Sequence, residues 1–257
     1  MKEVLNVNHL KKRYESEDNI TIALQDISFA IGEGEFISIM GASGSGKTTL
    51  LNCISTIDEA TEGEIWINGT ELSGLNEEDK AKFRRENLGF IFQDYNLLDT
   101  LTVEENISLA LIIKQIPKSK IKERVSNISE QFGIQHILKK YPYEISGGEK
   151  QRCACVRAVS HWPQLIMADE PTGALDSGNS RILMETIKQL NDSIGTTILI
   201  VTHDIIVSSY TDRTLYIKDG RIYEDLNMKG LSADEKLKRL MNLEAEQHTE
   251  GGRSDVC

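Results

Sequence analysis

Residues Gly41 to Thr48 read GASGSGKT. An apolar run, Phe36 to Met40 (FISIM), precedes them, and a helix-forming run from about Lys47 to Ser55 follows. The pattern GxxxxGK[ST] in that setting is a phosphate-cradling loop between a strand and a helix. Glycines let the backbone curl so that successive N–H groups point inward at phosphate oxygens. The helix adds its positive N-terminal end. Gly41, Ala42, Ser43, Gly44, Ser45 and Gly46 form the cradle. Lys47 reaches the β- and γ-phosphates, Thr48 offers a hydroxyl to Mg²⁺, and Thr49 adds one near the α-phosphate. Average composition would produce such a pattern by chance on the order of 0.01 times in a chain of this length. The loop therefore implies a chain that binds and hydrolyses ATP.

Outward from the loop, a second buried run, Leu165 to Ala168, ends in Asp169 and Glu170. Two acids after a buried strand are costly unless they have work or partners. In a parallel sheet, ligands sit beyond the carboxyl ends of the strands, which places Asp169 beside the phosphate loop. Asp169 is then a candidate Mg²⁺ ligand. Glu170 is a candidate general base on the attacking water.

The remaining chain alternates short β-branched runs with helical ones. Val4 to Leu10, Ile20 to Ile31, Gly63 to Asn68, Leu88 to Phe92 and Thr197 to Val201 read as strands, and Asn76 to Asn87 and Asn179 to Ile194 as helices. Arg213 to Lys218 and Arg221 to Asp225 read as a hairpin turning at Asp219-Gly220. Val103 to Ile113, Lys118 to Phe132 and Ile134 to Lys140 are helical, so residues of about 94–160 are expected to form an inserted helical subdomain. The expectation is an α/β fold with a mainly parallel sheet and helices on both faces. The ATPase domain spans 1–230, followed by a tail at 231–257. In the tail, Ser232 to Gln247 is helical with Ala233, Leu237, Leu240 and Met241 on one face, and the chain frays from His248.

The 257 residues are 39% hydrophobic and 27% charged, with a formal net charge of −11. That balance suits a soluble globular protein and argues against a nucleic-acid partner. No stretch of about 18 apolar residues occurs, and the first residues do not resemble a signal peptide. A cytoplasmic location is expected, with any membrane role exercised through a partner. Cys53, Cys153, Cys155 and Cys257 form no CxxC pair, so they read as reduced structural thiols, Cys257 being exposed.

A further motif narrows the class. Ser146-Gly147-Gly148-Glu149 resembles the LSGGQ signature of ABC-type ATPases, another anion-binding nest at a helix start. The other elements of that family follow in order along about residues 1–225. Gln93 resembles the Q-loop glutamine, which senses Mg²⁺ and the attacking water. Gly173-Ala174-Leu175-Asp176 resembles the D-loop. His203 resembles the switch histidine at the γ-phosphate, and Tyr14 the aromatic that stacks on adenine. The resemblance implies a P-loop NTPase core of RecA type with an N-terminal antiparallel β-subdomain. It implies a head-to-tail homodimer in which Ser146 to Glu149 of one copy cap ATP held by the other. Ile145 and Glu149 depart from the usual Leu and Gln, and Gly173 from the usual Ser. Glu149 is expected to turn away from the phosphates or to weaken closure slightly.

FQDYNLLDTLTVEENI (92–107), with SIMGASGSGKTTLLN and ADEPTGALDS, resembles the branch that works with FtsX-like integral membrane permeases, and bacitracin-type peptide-antibiotic exporters most of all. That implies a subunit held peripherally on the inner face of the membrane. Lipoprotein or macrolide export, or an ATP-driven regulatory clamp without net transport, is the alternative. Tyr95, Leu97, Leu98 and Leu101 are expected to form an apolar lip for the permease or to fill the subdomain core, and Lys11 to Arg13 a solvated edge.

Overall fold

In the computed structural model, residues 2–16 and 19–251 are described. Cys257 and the end of the expected frayed tail lie outside them.

Strands β1 (Glu3–Ser16) and β2 (Asn19–Gly32) pair antiparallel, and β4 (Glu62–Ile67) and β5 (Thr70–Glu71) complete a four-stranded sheet in the order β2-β1-β4-β5. The second sheet is built on β3 (Phe36–Met40). Around it lie β6 (Leu88–Ile91), β7 (Leu165–Asp169), β8 (Thr197–Thr202), β9 (Arg213–Lys218) and β10 (Arg221–Asn227), in the order β10-β9-β3-β8-β7-β6. The pairs from β9 to β6 are parallel, and only the hairpin strand β10 is antiparallel.

Every residue of β3 is buried, because both faces of this sheet are covered. Ile37 and Ile39 join Leu165, Met167, Leu199 and Val201 under the antiparallel sheet and helix α1 (Lys47–Ile54). Phe36, Ile166, Ala168, Ile198 and Ile200 face the opposite way, toward the helical layer. That alternation is the period of two of a strand. Helix α2 (Glu77–Asn87) is capped by the Asn76 side chain and leads into β6.

Between β6 and β7 lie α3 (Val103–Ile113), α4 (Lys118–Gln131) and α5 (Gly147–Val159). Thr102 and Glu105 form a capping box that fixes the start of α3. The expected helix over 134–140 shrinks to one 3₁₀ turn, Gln135–Ile137. Helix α6 (Ser177–Ile194) buries Leu183, Met184, Ile187 and Leu190, and α7 (Ile205–Ser209) follows β8. Cys53, Cys153 and Cys155 are free and buried, and burial pushes the Cys53 and Cys153 thiols up to about 12.

Helix α8 (Ala233–Gly251) continues past Gln247, where fraying was expected. Its buried face also differs from the expected one. Lys236, Leu240, Leu243 and Gln247 are buried, while Met241 is 55% exposed and Ala233 is exposed. The face rotates because Lys236 Nζ donates to the Thr211 carbonyl and the Asp212 carboxylate, drawing that turn inward. Leu240 and Leu243 then pack on Met40, Tyr216 and Met228. Replacing Leu240 with Ala should cost about 2–4 kcal/mol and lower the melting temperature by several degrees. A melt within about 1 °C of wild type would show that the helix is not docked.

Candidate active site

The parallel strand order brings the polar residues predicted from sequence to one edge. Adjacent strands β3, β8, β7 and β6 all run the same way, with Met40 level with Thr202 and Asp169 level with Val201. Their carboxyl ends therefore deliver the phosphate loop, then His203, then Asp169 and Glu170, then Gln93.

The loop closes tightly on the antiparallel sheet. Gly46 caps α1 at φ +103, and a Cβ there would lie 2.5 Å from the Ala23 carbonyl oxygen. Only glycine fits that approach. Lys47 is 7% exposed and donates to the carbonyls of Gly41 and Ala42, both at 2.8 Å. Burial lowers its pKa, and the charges of Glu170 and Asp169 oppose that effect. Thr48 lies on the exposed side of the first turn of α1.

Burial raises the pKa of Asp169, neighbouring Glu170 raises it further, and Lys47 opposes both. Its Oδ1 is buried without a hydrogen-bond partner. The folded state thus holds the Asp169 proton to higher pH than the unfolded chain does. Stability falls as pH rises from the ordinary aspartate value of 3.8 through the raised folded value, above which the cost is fully present. Asp169→Asn should therefore raise the nucleotide-free melting temperature at pH 7 by roughly 1–3 °C. A lowered melting temperature would show that the ionised carboxylate is stabilised where it sits.

Glu170 adopts φ +45, a left-handed backbone for a non-glycine residue, and its N–H donates to the Val201 carbonyl. Three donors hold its carboxylate. Thr202 Oγ1 donates to Oε2 at 3.0 Å, His203 N–H to Oε1 at 3.1 Å, and His203 Nδ1 lies 2.7 Å from Oε1. With the ring proton on Nδ1, His203 donates there. A carboxylate offers about four acceptor positions, so one is left for a further donor. Strain kept at a functional residue and held by several neighbours is a mark of such sites.

Gln93 is exposed and lies against Gly173, where a Cβ would meet its Nε2 at 3.1 Å. The glycine in place of the usual serine thus leaves room for Gln93. Tyr95 and Asn96 also have positive φ, and Arg157 of α5 donates to both their carbonyls. The expected apolar lip divides. Leu97 packs into the helical core, while Leu98 is 49% exposed.

Ser146 caps α5 in a capping box with Glu149. The Glu149 carboxylate is engaged by groups of its own chain. Its Oε2 accepts from the Ser146 N–H at 2.9 Å and the Ser146 hydroxyl at 2.8 Å, and His136 Nε2 lies 3.3 Å from Oε1. The Ser146 N–H bond holds the Glu149 carboxyl below its ordinary range; burial opposes this, while the Ser146 hydroxyl and His136 add to it. A Cβ at Gly148 would lie 2.4 Å from Asn179 Oδ1 of α6, so the nest packs against the helix that follows Asp176. Among the described residues, no hydrogen bond joins Ser146–Glu149 to Gly41–Thr48.

Tyr14 sits apart from the strand edge, on β1, with its phenol donating to Asp58 Oδ2 at 2.7 Å. Lys11 to Arg13 do not form a uniformly solvated edge. Lys12 is 9% exposed and pairs with Asp58 at 2.6 Å. Sequence reasoning missed Thr202, Asn179, Arg157 and Asp58. Of these, only Thr202 carried a local signal, as a hydroxyl ending an otherwise apolar strand.

The donors at this edge suit a hard cation, since they are hydroxyl, amide and carboxylate oxygens. The unpartnered buried Asp169 Oδ1 is available for such an ion. Among the described residues, no group of three or more His, Cys, Asp or Glu side chains gathers for a metal. A Mg²⁺ here would be shared with substrate phosphates, its usual habit.

A family model described as ABC transporter matches residues 24–173. The chain is 49% identical to bacitracin export ATP-binding protein BceA of Halalkalibacterium halodurans, over 87% of this chain and 88% of that one. It is 48% identical to ABC transporter ATP-binding protein YxdL of Bacillus subtilis, over 88% of each. Among solved structures, the dimeric post-hydrolysis state of the ATP-binding cassette MJ0796 bound to ADP and Pi, from Methanocaldococcus jannaschii, has a TM-score of 0.81 at 37% identity. It covers 88% of this chain and 100% of that chain. The cbiO1 protein of Clostridium perfringens, part of the ABC transporter complex cbiONQ, has a TM-score of 0.81 at 28% identity, covering 98% of this chain and all of that one.

Proposed function

This chain belongs to the ABC transporter family, and on that premise we propose that it drives export or dislodging of a peptide antibiotic through an FtsX-like permease. It is an ATP-binding ATPase subunit of a transporter and uses ATP with Mg²⁺. No helix among the described residues is long and apolar enough to cross a membrane, so a permease supplies the membrane path. The subunit docks on the inner face of that membrane through the permease.

One observation carries the mechanism. Four parallel strand ends gather Lys47, His203, Asp169, Glu170 and Gln93 at one edge, while the Ser146 nest has no hydrogen bond to them. The nest therefore serves the phosphates of a second copy, and two chains close head to tail over two ATPs. Lys47 turns from the Gly41 and Ala42 carbonyls to the β- and γ-phosphates. Thr48, Gln93 and Asp169 would hold Mg²⁺, which neutralises charge developing on the phosphate oxygens. Glu170, with one acceptor position open, takes a proton from water as that water's oxygen attacks the γ-phosphorus and ADP leaves. His203 orders the γ-phosphate beside it. Tyr14 stacks on the adenine.

The identity to a bacitracin export ATP-binding protein supports the cargo class. The test is to co-purify the native permease and measure which peptide antibiotics raise the ATPase rate. Stimulation by a bacitracin-type peptide is expected. No response to any peptide antibiotic would overturn the cargo assignment.

A further inference from the structure

Away from the strand edge, the loop between α1 and β4 is fixed more firmly than a connection of its length requires. Three cations converge on it. Arg84 Nη1 donates to the Thr56 carbonyl and hydroxyl, both at 2.9 Å. Lys80, 5% exposed, pairs with Glu59 and Glu77. Lys12 Nζ donates to Asp58 Oδ1 at 2.6 Å and to the Glu59 carbonyl at 2.7 Å. Thr56 itself is buried at φ +59. A long basic side chain loses much rotamer freedom when it is buried, so two buried lysines and a half-buried arginine on one short loop point to a conformation with a use.

Tyr14 is the residue that this conformation presents. Lys12 and Tyr14 are two apart on β1 and so lie on one face of the strand. Lys12 Nζ sits 4.7 Å from the centroid of the Tyr14 ring, a cation–π contact that covers one ring face. The Asp58 carboxylate receives both partners, Tyr14 Oη on Oδ2 and Lys12 Nζ on Oδ1, and the Glu59 N–H at 2.8 Å as well. The ring is thus held at its hydroxyl and from below, yet it remains 43% exposed. A flat aromatic clamped on one side and open on the other is a stacking platform prepared before its ligand arrives. Rigidity of that kind raises affinity by removing the ordering cost from the binding step.

We infer that Asp58 is a positioning residue for the nucleotide base: with Lys12 it clamps Tyr14 so that one ring face is ready to stack on a purine. This rests on the proposed stacking role of Tyr14. Asp58 acts through the ring and does not touch the phosphates. The arrangement imposes no hydrogen-bond reading of the base edge, so it favours purines by stacking area.

The inference separates base binding from phosphate binding, and the test uses that separation. Calorimetry on the full chain with Mg²⁺ compares ADP with pyrophosphate, which has no base. Tyr14→Ala should weaken ADP about tenfold, the loss of one base–aromatic stack. Asp58→Ala should weaken ADP by about three- to fivefold, a looser ring losing part of that stack. Both variants should bind pyrophosphate within about twofold of wild type. In turnover, Asp58→Ala should raise KM for ATP while kcat at saturating ATP stays near wild type, the signature of lost uniform binding. Wild-type ADP affinity in Asp58→Ala alongside weakened Tyr14→Ala would overturn the inference and leave the Tyr14 assignment standing. Equal weakening of ADP and pyrophosphate would overturn it as well, making Asp58 a support of the loop fold. Wild-type ADP affinity in Tyr14→Ala would remove the underlying assignment. If Asp58→Ala misfolds, Tyr14→Phe cuts the same link from the other side. It keeps the ring and should weaken ADP to the extent given for Asp58→Ala, and wild-type affinity there overturns the inference.

Discussion

Glu170→Gln is expected to lower kcat by about 10²- to 10⁴-fold, the range that a positioned general base contributes, while ATP still binds. Gln has the same shape, and its amide can keep the local contacts. The amide oxygen accepts from His203 N–H and Nδ1, and the amide NH₂ donates to the Thr202 hydroxyl, which accepts as well as donates. The substitution therefore removes basicity with little disturbance of the strained backbone at φ +45. With hydrolysis blocked, the closed dimer should accumulate in ATP and elute as a dimer on gel filtration. Turnover within about fivefold of wild type would remove Glu170 as the base.

The second large effect is expected at Lys47. Its ammonium is buried, and each charge-assisted hydrogen bond it makes to a phosphate is worth about 1.5–3 kcal/mol. Losing two such bonds in Lys47→Ala should weaken ATP by about a hundredfold or more. The fold should survive. Burial lowers the Lys47 pKa, which means that the protonated side chain is held at a cost in the nucleotide-free chain. A wild-type melting temperature with lost nucleotide binding would separate a ligand role from a folding role. Retained ATP affinity would count against the loop assignment.

These predictions draw on residues that were legible at very different levels. The phosphate loop, Asp169-Glu170, the SGGE segment and His203 were visible as short motifs. Each is a local arrangement of glycines, hydroxyls and acids that chemistry restricts to few uses. The strand periodicity was legible too, since FISIM and TILIVT have no charge and must be buried on both faces. The tail helix was legible as a helix, but its buried face only in part. The apolar pattern pointed to Ala233, Leu237, Leu240 and Met241; Leu240 is buried as expected, but Met241 is exposed and the Lys236–Asp212 pair draws Lys236 inward. A buried lysine paired with an acid in the distant turn before β9 leaves no apolar signature along the helix.

At the site, Glu149 read as an extra negative charge beside a phosphate nest, whereas it is the capping-box partner of Ser146 three residues before it, a local S-x-x-E pattern. Asp58 read as a loop acid, and its role exists only because β1 lies across the end of α1. What the sequence determined by itself was the chemistry, because motif residues act through atoms they carry and neighbours a few positions away. What the tertiary structure alone decided was which distant groups share one carboxylate: Thr202 and His203 on Glu170, and Lys12 and Tyr14 on Asp58. Those assignments depend on strand order and on the close approach of segments far apart in the chain, which no local pattern records.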